Sequence, residues 1–292
     1  MQRHLPTVLP PAGHLHVKQR AHMITLRTSA TIPLIIDMEM RSPSVYLDHC
    51  VIGDFADNPI LGGSFRDVLQ RKNGTLCLSA LHLVESSGLC PGEAYSRIKS
   101  FLASFGKGFI ILEFDPNIVI AKEKNRRRND SFPAFDYELI KELVLKWNGL
   151  SRLDVGILLN ILEQNPSLCE QLRTSHKLYK KRVHEMFRAV RHIYQTDAQA
   201  KNNILTRKCL DPVQTSMTEY LYCEIRRMIC KEDLTPNDVI DFFHSIVSAS
   251  FADFVVLDKK WASRIRRVQP PMGSAKVFAT TEYDSFVQAL AA

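Results

Sequence analysis

The sequence lacks the features that distinguish secreted and membrane proteins. Its seven cysteines form no CxxC pair, and their odd number and wide scatter do not suggest a disulfide framework. No apolar run approaches the roughly 20 residues that a membrane-spanning helix needs. The composition therefore argues against a transmembrane protein, favours a reducing compartment and predicts a cytoplasmic location.

Acidic residues are also missing from the beginning of the chain, where none precedes Asp37. Residues 1–40 are rich in Pro, His, Thr and Ser and show no sustained hydrophobic periodicity. Segments of this kind bury too little apolar surface to offset the entropy lost on ordering. We therefore expect residues 1–40 to form a mostly disordered extension outside the folded core.

Positive charge is concentrated in the middle of the chain. The whole sequence has a formal net charge of +7, and residues 122–192 alone carry 15 basic and 9 acidic side chains. A local basic excess fits a polyanionic partner, because neutralising phosphates releases counterions, but a solvated helical face explains it equally well. The candidates for nucleic-acid contacts in this region are Arg126, Arg127 and Arg128, followed by a helix that carries Lys177, Lys180, Lys181, Arg182, Arg188 and Arg191.

Short apolar segments alternate with helical patterns in two parts of the chain. This alternation indicates a parallel sheet covered by helices on both faces. Strand signals disappear between about 116 and 231, which predicts an all-helical insertion. We expect an α/β three-layer sandwich built from residues 41–115 and 233–292, with the insertion at 116–232. The predicted strands of the sandwich are 44–48, 75–79, 109–113, 254–257 and 276–279.

Four carboxylates occupy positions from which they can face one crevice. Asp48 and Asp258 each end a predicted strand, which is where open α/β sheets place ligands. Glu85 lies on the helix after the second strand, and Asp241 lies on the helix that begins at Pro236. Two such charges repel by about 4 kcal/mol at 4 Å with an effective dielectric near 20. The cluster therefore predicts a bound Mg²⁺ or Mn²⁺, which prefers oxygen ligands and supports phosphodiester hydrolysis.

Each of these side chains also has a simpler structural interpretation. Asp48 suits the N-cap of the following helix, and Glu85 alone would suit a solvated helix surface. Asp238 competes with Asp241 as a ligand, because both lie on one face of their helix with His244. His244 either orients a carboxylate, contacts substrate or makes a structural hydrogen bond.

The residues around the last acid leave similar alternatives open. Lys259, Lys260 and Arg264 follow Asp258 and suit either phosphate binding or a basic surface helix. Asp253 precedes the last acid by five positions, too early to share its strand end, and we interpret it as a turn residue.

Three segments resemble the acidic motifs of PIN-domain ribonucleases. They are Val45-Tyr-Leu-Asp48, Leu76-Cys-Leu-Ser-Ala-Leu-His-Leu-Val-Glu85, and Asn237-Asp-Val-Ile-Asp-Phe-Phe-His244 running to Ala252-Asp-Phe-Val-Val-Leu-Asp-Lys259. The resemblance covers about half of the chain and implies a PIN-like sandwich. It assigns Asp48, Glu85, Asp241 and Asp258 as the first to fourth metal ligands.

The resemblance implies an endoribonuclease dependent on Mg²⁺ or Mn²⁺, with RNA preferred over DNA. The alternatives are a catalytically inactive PIN-like module that binds nucleic acid or protein, and a structure-specific DNA nuclease of the wider superfamily. The helical insertion lies outside the resemblance and is a candidate surface for a protein partner.

Overall fold

The computed structural model of the chain describes residues 24–29, 32–125, 132–146, 153–206, 215–268 and 273–292. Its described residues form a central parallel sheet of five strands in the order β5–β4–β3–β6–β7, and a separate antiparallel pair, β1 with β2. The α/β class and the parallel sheet are as expected. The strands are β1 (Thr25–Ser29), β2 (Ile32–Asp37), β3 (Ser44–Leu47), β4 (Thr75–Ser79), β5 (Phe109–Leu112), β6 (Phe254–Leu257) and β7 (Lys276–Ala279).

Helices connect these strands and cover the sheet. No helix in the described ranges is both long and apolar enough to cross a bilayer. The helices are α1 (His49–Asp57), α2 (Pro59–Arg71), α3 (Ala80–Leu89), α4 (Glu93–Ala103), α5 (Pro116–Lys124), α6 (Tyr137–Lys146), α7 (Val155–Gln164), α8 (Pro166–Thr196), α9 (Ala198–Thr206), α10 (Met217–Ile229), α11 (Pro236–Phe251), α12 (Lys259–Arg267) and α13 (Tyr283–Ala291).

The sheet separates two hydrophobic cores because successive strand side chains point to opposite faces. In β3, Val45 and Leu47 enter one core, whereas Tyr46 enters the other. Helices α1, α2, α4 and α13 contribute to the first core, and α11 and α12 to the second. All four residues of β3 are buried, as a strand covered on both faces requires.

The predicted helical insertion is part of both cores. Leu158 and Leu159 of α7 pack in the first core, while Phe187 of α8 and Leu221 of α10 pack in the second. The described helices of this region therefore contribute to both cores of the sandwich. Periodicity identifies such helices, but the core that each one joins depends on contacts distant in sequence.

The N-terminal region contains structure that its composition did not indicate. Residues 25–29 and 32–37 pair as antiparallel strands, and Ile24 is buried against the first core. Leu26 and Ile36 pack partly against the same core. The expected disordered extension therefore contains, within residues 24–29 and 32–40, a hairpin whose Ile24, Leu26 and Ile36 pack against the first core.

The strand order creates a crevice beside the middle strand. From β3 the chain passes to β4 and β5 on one side of the sheet, and β6 and β7 later extend it on the other side. The helices that follow β3 and β6 therefore lie on opposite faces of the sheet, α1 in the first core and α12 in the second. Open parallel sheets bind ligands at such a switch point.

Candidate functional site

Asp48 and Asp258 lie side by side at this switch point. Strands β3 and β6 are neighbours, and the Asp48 backbone N–H donates to the Val256 carbonyl at 2.9 Å. Asp48 Oδ1 accepts from the His49 N–H at 2.7 Å, and Asp258 Oδ1 accepts from the Lys260 N–H at 2.6 Å. Both acids therefore cap helices, a role that the sequence analysis had offered only for Asp48.

Capping occupies only part of each carboxylate. Asp48 Oδ2 accepts only a weak hydrogen bond from the Cys50 thiol, at 3.7 Å, among the described residues. Asp258 Oδ2 has no hydrogen-bond partner among them. One backbone N–H group orients the Asp48 carboxylate and two orient that of Asp258. The caps thus fix the two acids at the crevice and leave oxygen atoms for a ligand.

Glu85 and Asp241 approach the same crevice from helices α3 and α11. The pKa of Glu85 is raised to about 7, first by burial and then by the carboxylates of Asp48 and Asp241, against an opposing effect of His244. Burial also raises the pKa of Asp258, with further contributions from Asp48 and Asp241 and opposition from backbone N–H groups. Each of the four carboxylates therefore acts electrostatically on at least one other.

Among the described residues, no basic side chain of the Lys or Arg type lies within ion-pair distance of these four acids. Two of them have histidine neighbours instead: His49 Nδ1 lies 3.5 Å from Glu85 Oε2, although burial lowers the pKa of His49, and His244 Nε2 lies 3.4 Å from Asp241 Oδ1. The cluster therefore has little internal neutralisation, which suits an external cation.

The carboxylates do not form a closed ligand set. Within the described ranges, no group of three or more His, Cys, Asp or Glu side chains is close enough to hold a metal ion. Mg²⁺ requires oxygen ligands at about 2.1 Å. The donor chemistry fits such a cation, but binding requires these side chains to move towards one another from the positions observed.

His244 connects Asp241 to the interior of the fold. Its Nε2 faces Asp241, and its Nδ1 lies 3.0 Å from the Tyr46 hydroxyl, so both ring nitrogens have partners. Burial alone would lower the pKa of His244, but the hydrogen bond to Asp241 and the charges of Asp48 and Glu85 raise it above the usual value. His244 and Tyr46 are both buried. This arrangement restricts the orientation of the Asp241 side chain.

A second histidine joins the ends of two strands. His82 Nδ1 accepts from the Ser79 backbone N–H at 2.9 Å, which leaves the proton on Nε2 to donate to the Leu47 carbonyl at 2.8 Å. Burial, followed by the charge of His49, lowers the pKa of His82 to about 3, so this ring is neutral. His82 thereby connects the end of β3 to the start of α3, the helix that carries Glu85.

Sequence reasoning missed Tyr46, His49 and His82 as parts of this site. His49 follows Asp48 directly, and its Nε2 atom is buried without a hydrogen-bond partner among the described residues. His82 lies three positions after Ser79, a spacing compatible with a capping box. The positions of the two histidines were visible in the sequence, but an ordinary core residue or helix cap explains each position by itself.

The structure separates Asp238 from the carboxylate cluster. Its Oδ2 accepts from the Thr235 N–H at 2.9 Å, and its Oδ1 pairs with Lys260 Nζ. Despite partial burial, the hydrogen bonds from Lys260 and Thr235 hold the pKa of Asp238 below its usual value. Asp238 is therefore a helix cap with its own lysine, and Asp241 is the acid of α11 that acts on the cluster.

Two predicted phosphate contacts have partners within the protein. Lys260 pairs with Asp238, and Arg264 is buried, pairs with Glu232 and has its guanidinium 4.4 Å from the centre of the Trp261 ring. The burial of Arg264 does not agree with a basic surface helix, one of the two interpretations that the sequence left open, because its partner Glu232 lies outside α12.

The remaining predicted residues divide into three cases. Lys259 is exposed at the start of α12. Asp253 lies at the opposite end of β6, where its Oδ2 accepts from the Ser44 N–H at 2.7 Å, in agreement with a structural role. Three predicted basic contacts lie outside the described residues, namely Arg126, Arg127 and Arg128.

Comparisons of the chain with protein-family models, curated proteins and solved structures found no match. The evidence for function therefore comes from the geometry and electrostatics of the crevice.

Proposed function

We propose that this chain is a divalent-metal-dependent nuclease of the PIN type that hydrolyses phosphodiester bonds, with RNA as the preferred substrate. The supporting observation is the carboxylate cluster at the sheet switch point, formed by Asp48, Glu85, Asp241 and Asp258, whose described ion-pair partners are only histidines. The preference for RNA rests on the resemblance to PIN-domain ribonucleases.

The chemistry of the donors favours Mg²⁺ or Mn²⁺ over a softer metal. All four donors are carboxylates, which hard cations prefer to nitrogen or sulfur ligands. When bound, such a cation activates water and stabilises the charge that develops on the phosphate. Asp48, Glu85, Asp241 and Asp258 would hold it.

The surrounding residues prepare the carboxylates for this role. Backbone N–H groups at two helix starts orient Asp48 and Asp258. His244, itself held by Tyr46, orients Asp241. Hydrogen bonds of this second layer improve ligand geometry and affect metal affinity by about 10- to 100-fold. Protein groups thereby reduce the rearrangement needed to gather the acids around a cation.

The decisive test is cleavage of a labelled single-stranded RNA by the purified chain with Mn²⁺ or Mg²⁺. We expect Asp48→Asn to abolish cleavage, because it removes a ligand charge while retaining an oxygen that can cap α1. Asp67→Asn is the matched control, since Asp67 is an exposed acid on α2 that pairs only with its neighbour Arg66 among the described residues. Cleavage that survives in Asp48→Asn, with the fold intact by circular dichroism, would refute the proposal.

A catalytically inactive binding module is the second candidate. The open arrangement of the carboxylates, without three ligands at metal-binding distance in the described structure, favours it. Such a module would retain RNA without cleaving it, and Mn²⁺ would not raise its melting temperature. Saturating metal at about 100 times its Kd stabilises a folded protein by about 2.7 kcal/mol, so a nuclease with this site should show a clear shift.

A DNA nuclease is distinguished by substrate and not by metal binding. Single-stranded RNA, duplex DNA and flapped DNA should be compared at equal concentration. Faster cleavage of single-stranded RNA supports the proposed preference, whereas faster cleavage of flapped DNA would assign the same carboxylates to a structure-specific DNA nuclease.

A further inference from the structure

The long helix α8 lies next to the helices that carry two of the crevice acids. It packs against α3 and α11, the helices that carry Glu85 and Asp241. Lys180 Nζ donates to the Asn237 side chain in the first turn of α11. Burial is the main influence on the pKa of Glu85 and raises it, but the positive charge of Lys180 acts in the opposite direction. The basic helix of the predicted insertion is thus adjacent to the proposed site.

Three exposed basic residues form a row along this helix, which we call the α8 stripe: Lys177, Lys181 and Arg188. Their positions fall within about 40° of one another around an α-helix of 3.6 residues per turn. At 1.5 Å per residue, the row extends about 16 Å along the helix axis. The stripe therefore presents positive charge as a single line.

The α8 stripe is poorly neutralised by the protein. Lys177 and Arg188 have no ion-pair partner among the described residues, and the partner of Lys181 is the exposed Glu185 at 4.0 Å. Exposed pairs of this kind contribute only about 0–1 kcal/mol. By contrast, Arg191 on the same helix pairs with Asp233. The charges of the stripe are consequently available to a partner.

We propose that the α8 stripe binds the phosphate backbone of a single nucleic-acid strand and leads it to the carboxylate crevice. A single row of cations, on a helix that packs against the helices of Glu85 and Asp241, matches one line of phosphates, whereas a duplex presents two. The part of this proposal that leads the strand to the crevice rests on the proposed nuclease function. Binding of the strand by the stripe does not require cleavage.

The test measures binding of a fluorescent single-stranded RNA by anisotropy, with divalent ions removed by EDTA so that no metal-dependent cleavage occurs. The stripe variant combines Lys177→Gln, Lys181→Gln and Arg188→Gln. Its control combines Arg71→Gln, Lys72→Gln and Lys107→Gln, which removes the same charge from exposed positions. These positions precede β4 and β5 and so lie at the amino ends of the strands, away from the crevice at their carboxyl ends. Melting temperatures establish that both variants fold.

We expect the stripe variant to bind at least tenfold more weakly than the wild type, with the control close to wild type. Each lost phosphate contact reduces the slope of log affinity against log salt by about 0.7 for a single strand, so the stripe variant should lose about 2 from this slope. The single substitution Arg188→Gln should reduce the slope by about 0.7. If the triple variant does not fold, Arg188→Gln still tests the proposal.

Equal losses in the stripe and control variants would overturn the inference, because net charge alone would then explain binding. Tighter binding of duplex than of single-stranded RNA, or no binding by the wild type, would also overturn it. A separate Mn²⁺ cleavage assay distinguishes the two proposals. Stripe-dependent binding without cleavage contradicts only the nuclease proposal, whereas cleavage with stripe-independent binding contradicts only the α8 stripe.

Discussion

Two groups of acids lie at the carboxyl ends of the strands, and they are neutralised differently. In the first, the carboxylate crevice, the ion-pair partners of the acids are histidines. The second contains Glu113, directly after β5, and Asp136. There Lys122 Nζ lies 3.7 Å from Glu113 Oε2 and lowers the pKa of both acids, although burial, the largest influence, raises them.

The backbone also satisfies the second group. Glu113 Oε1 accepts from the Phe114 N–H at 3.1 Å, and Asp136 Oδ1 accepts from the Leu139 N–H at 3.0 Å. Burial raises the pKa of Glu113 to about 7, as it does for Glu85. Burial therefore does not distinguish the two groups. The difference is Lys122, which lies within ion-pair distance of Glu113, whereas no Lys or Arg among the described residues lies that close to a crevice acid.

The largest expected effect is on cleavage. Asp241→Asn and Asp258→Asn should each reduce the initial rate by more than about a hundredfold, because direct ligands matter more than outer partners, whose loss costs about 10- to 100-fold. Glu113→Gln should stay within a few-fold of the wild type. A comparable loss in Glu113→Gln, measured on folded protein, would remove the distinction between the two groups.

A smaller effect on metal binding and cleavage is expected from substitutions of His244, which contacts Asp241, and of Tyr46, which contacts His244. His244→Gln should lower Mn²⁺ affinity and kcat by about 10- to 100-fold, since the Asp241 carboxylate loses its orienting partner. Tyr46→Phe should act in the same direction but more weakly, because it removes one hydrogen bond worth about 1 kcal/mol. Isothermal titration with Mn²⁺ and single-turnover cleavage measure the two quantities. Unchanged Mn²⁺ affinity in His244→Gln would show that this histidine has only a structural role.

The smallest effects concern pH. Because the pKa of Glu85 is raised from 4.5 to about 7 in the folded protein, the folded state binds more protons than the unfolded state between these values. The stability of the metal-free protein should therefore fall as pH rises through this window. Mn²⁺ affinity should rise over the same window and level off above about 7, as Glu85 loses its proton.

Glu113 provides the control for this pH dependence, because its pKa is raised in the same direction and to about the same value. Glu85→Gln should flatten both the stability profile and the profile of Mn²⁺ affinity. Glu113→Gln should flatten only the stability profile. Urea unfolding at several pH values measures the first profile and calorimetric titration the second. An affinity profile altered equally by both variants would contradict the assignment of Glu85 to the crevice.

Much of the fold was predictable because its signals are local. The five strands of the parallel sheet are short apolar runs, and β3 and β6 each end in an acid that begins a helix. The hairpin formed by β1 and β2 was missed because the apolar run of its second strand, residues 32–36, lies in a segment that otherwise shows no sustained periodicity. The PIN-like identity of the sandwich stays a proposal.

The site was predictable only in part. Asp48 and Asp258 could be located from the strand ends, because caps and strand boundaries depend on neighbours in sequence. The pairing of Asp238 with Lys260 and of Arg264 with Glu232 could not be predicted, since the partners lie outside each other's element.

The sequence by itself determined the apolar alternation of the strands, the helix starts and the positions of the acids, because these depend on chemistry within a few residues. Only the tertiary structure decided which acids received a lysine and which remained with histidines, and that α8 lies beside the crevice. The position of α8, for example, depends on its packing against α11, which begins 40 residues after α8 ends. Such packing is chosen by the shape of whole helix faces, which no local pattern of residues specifies.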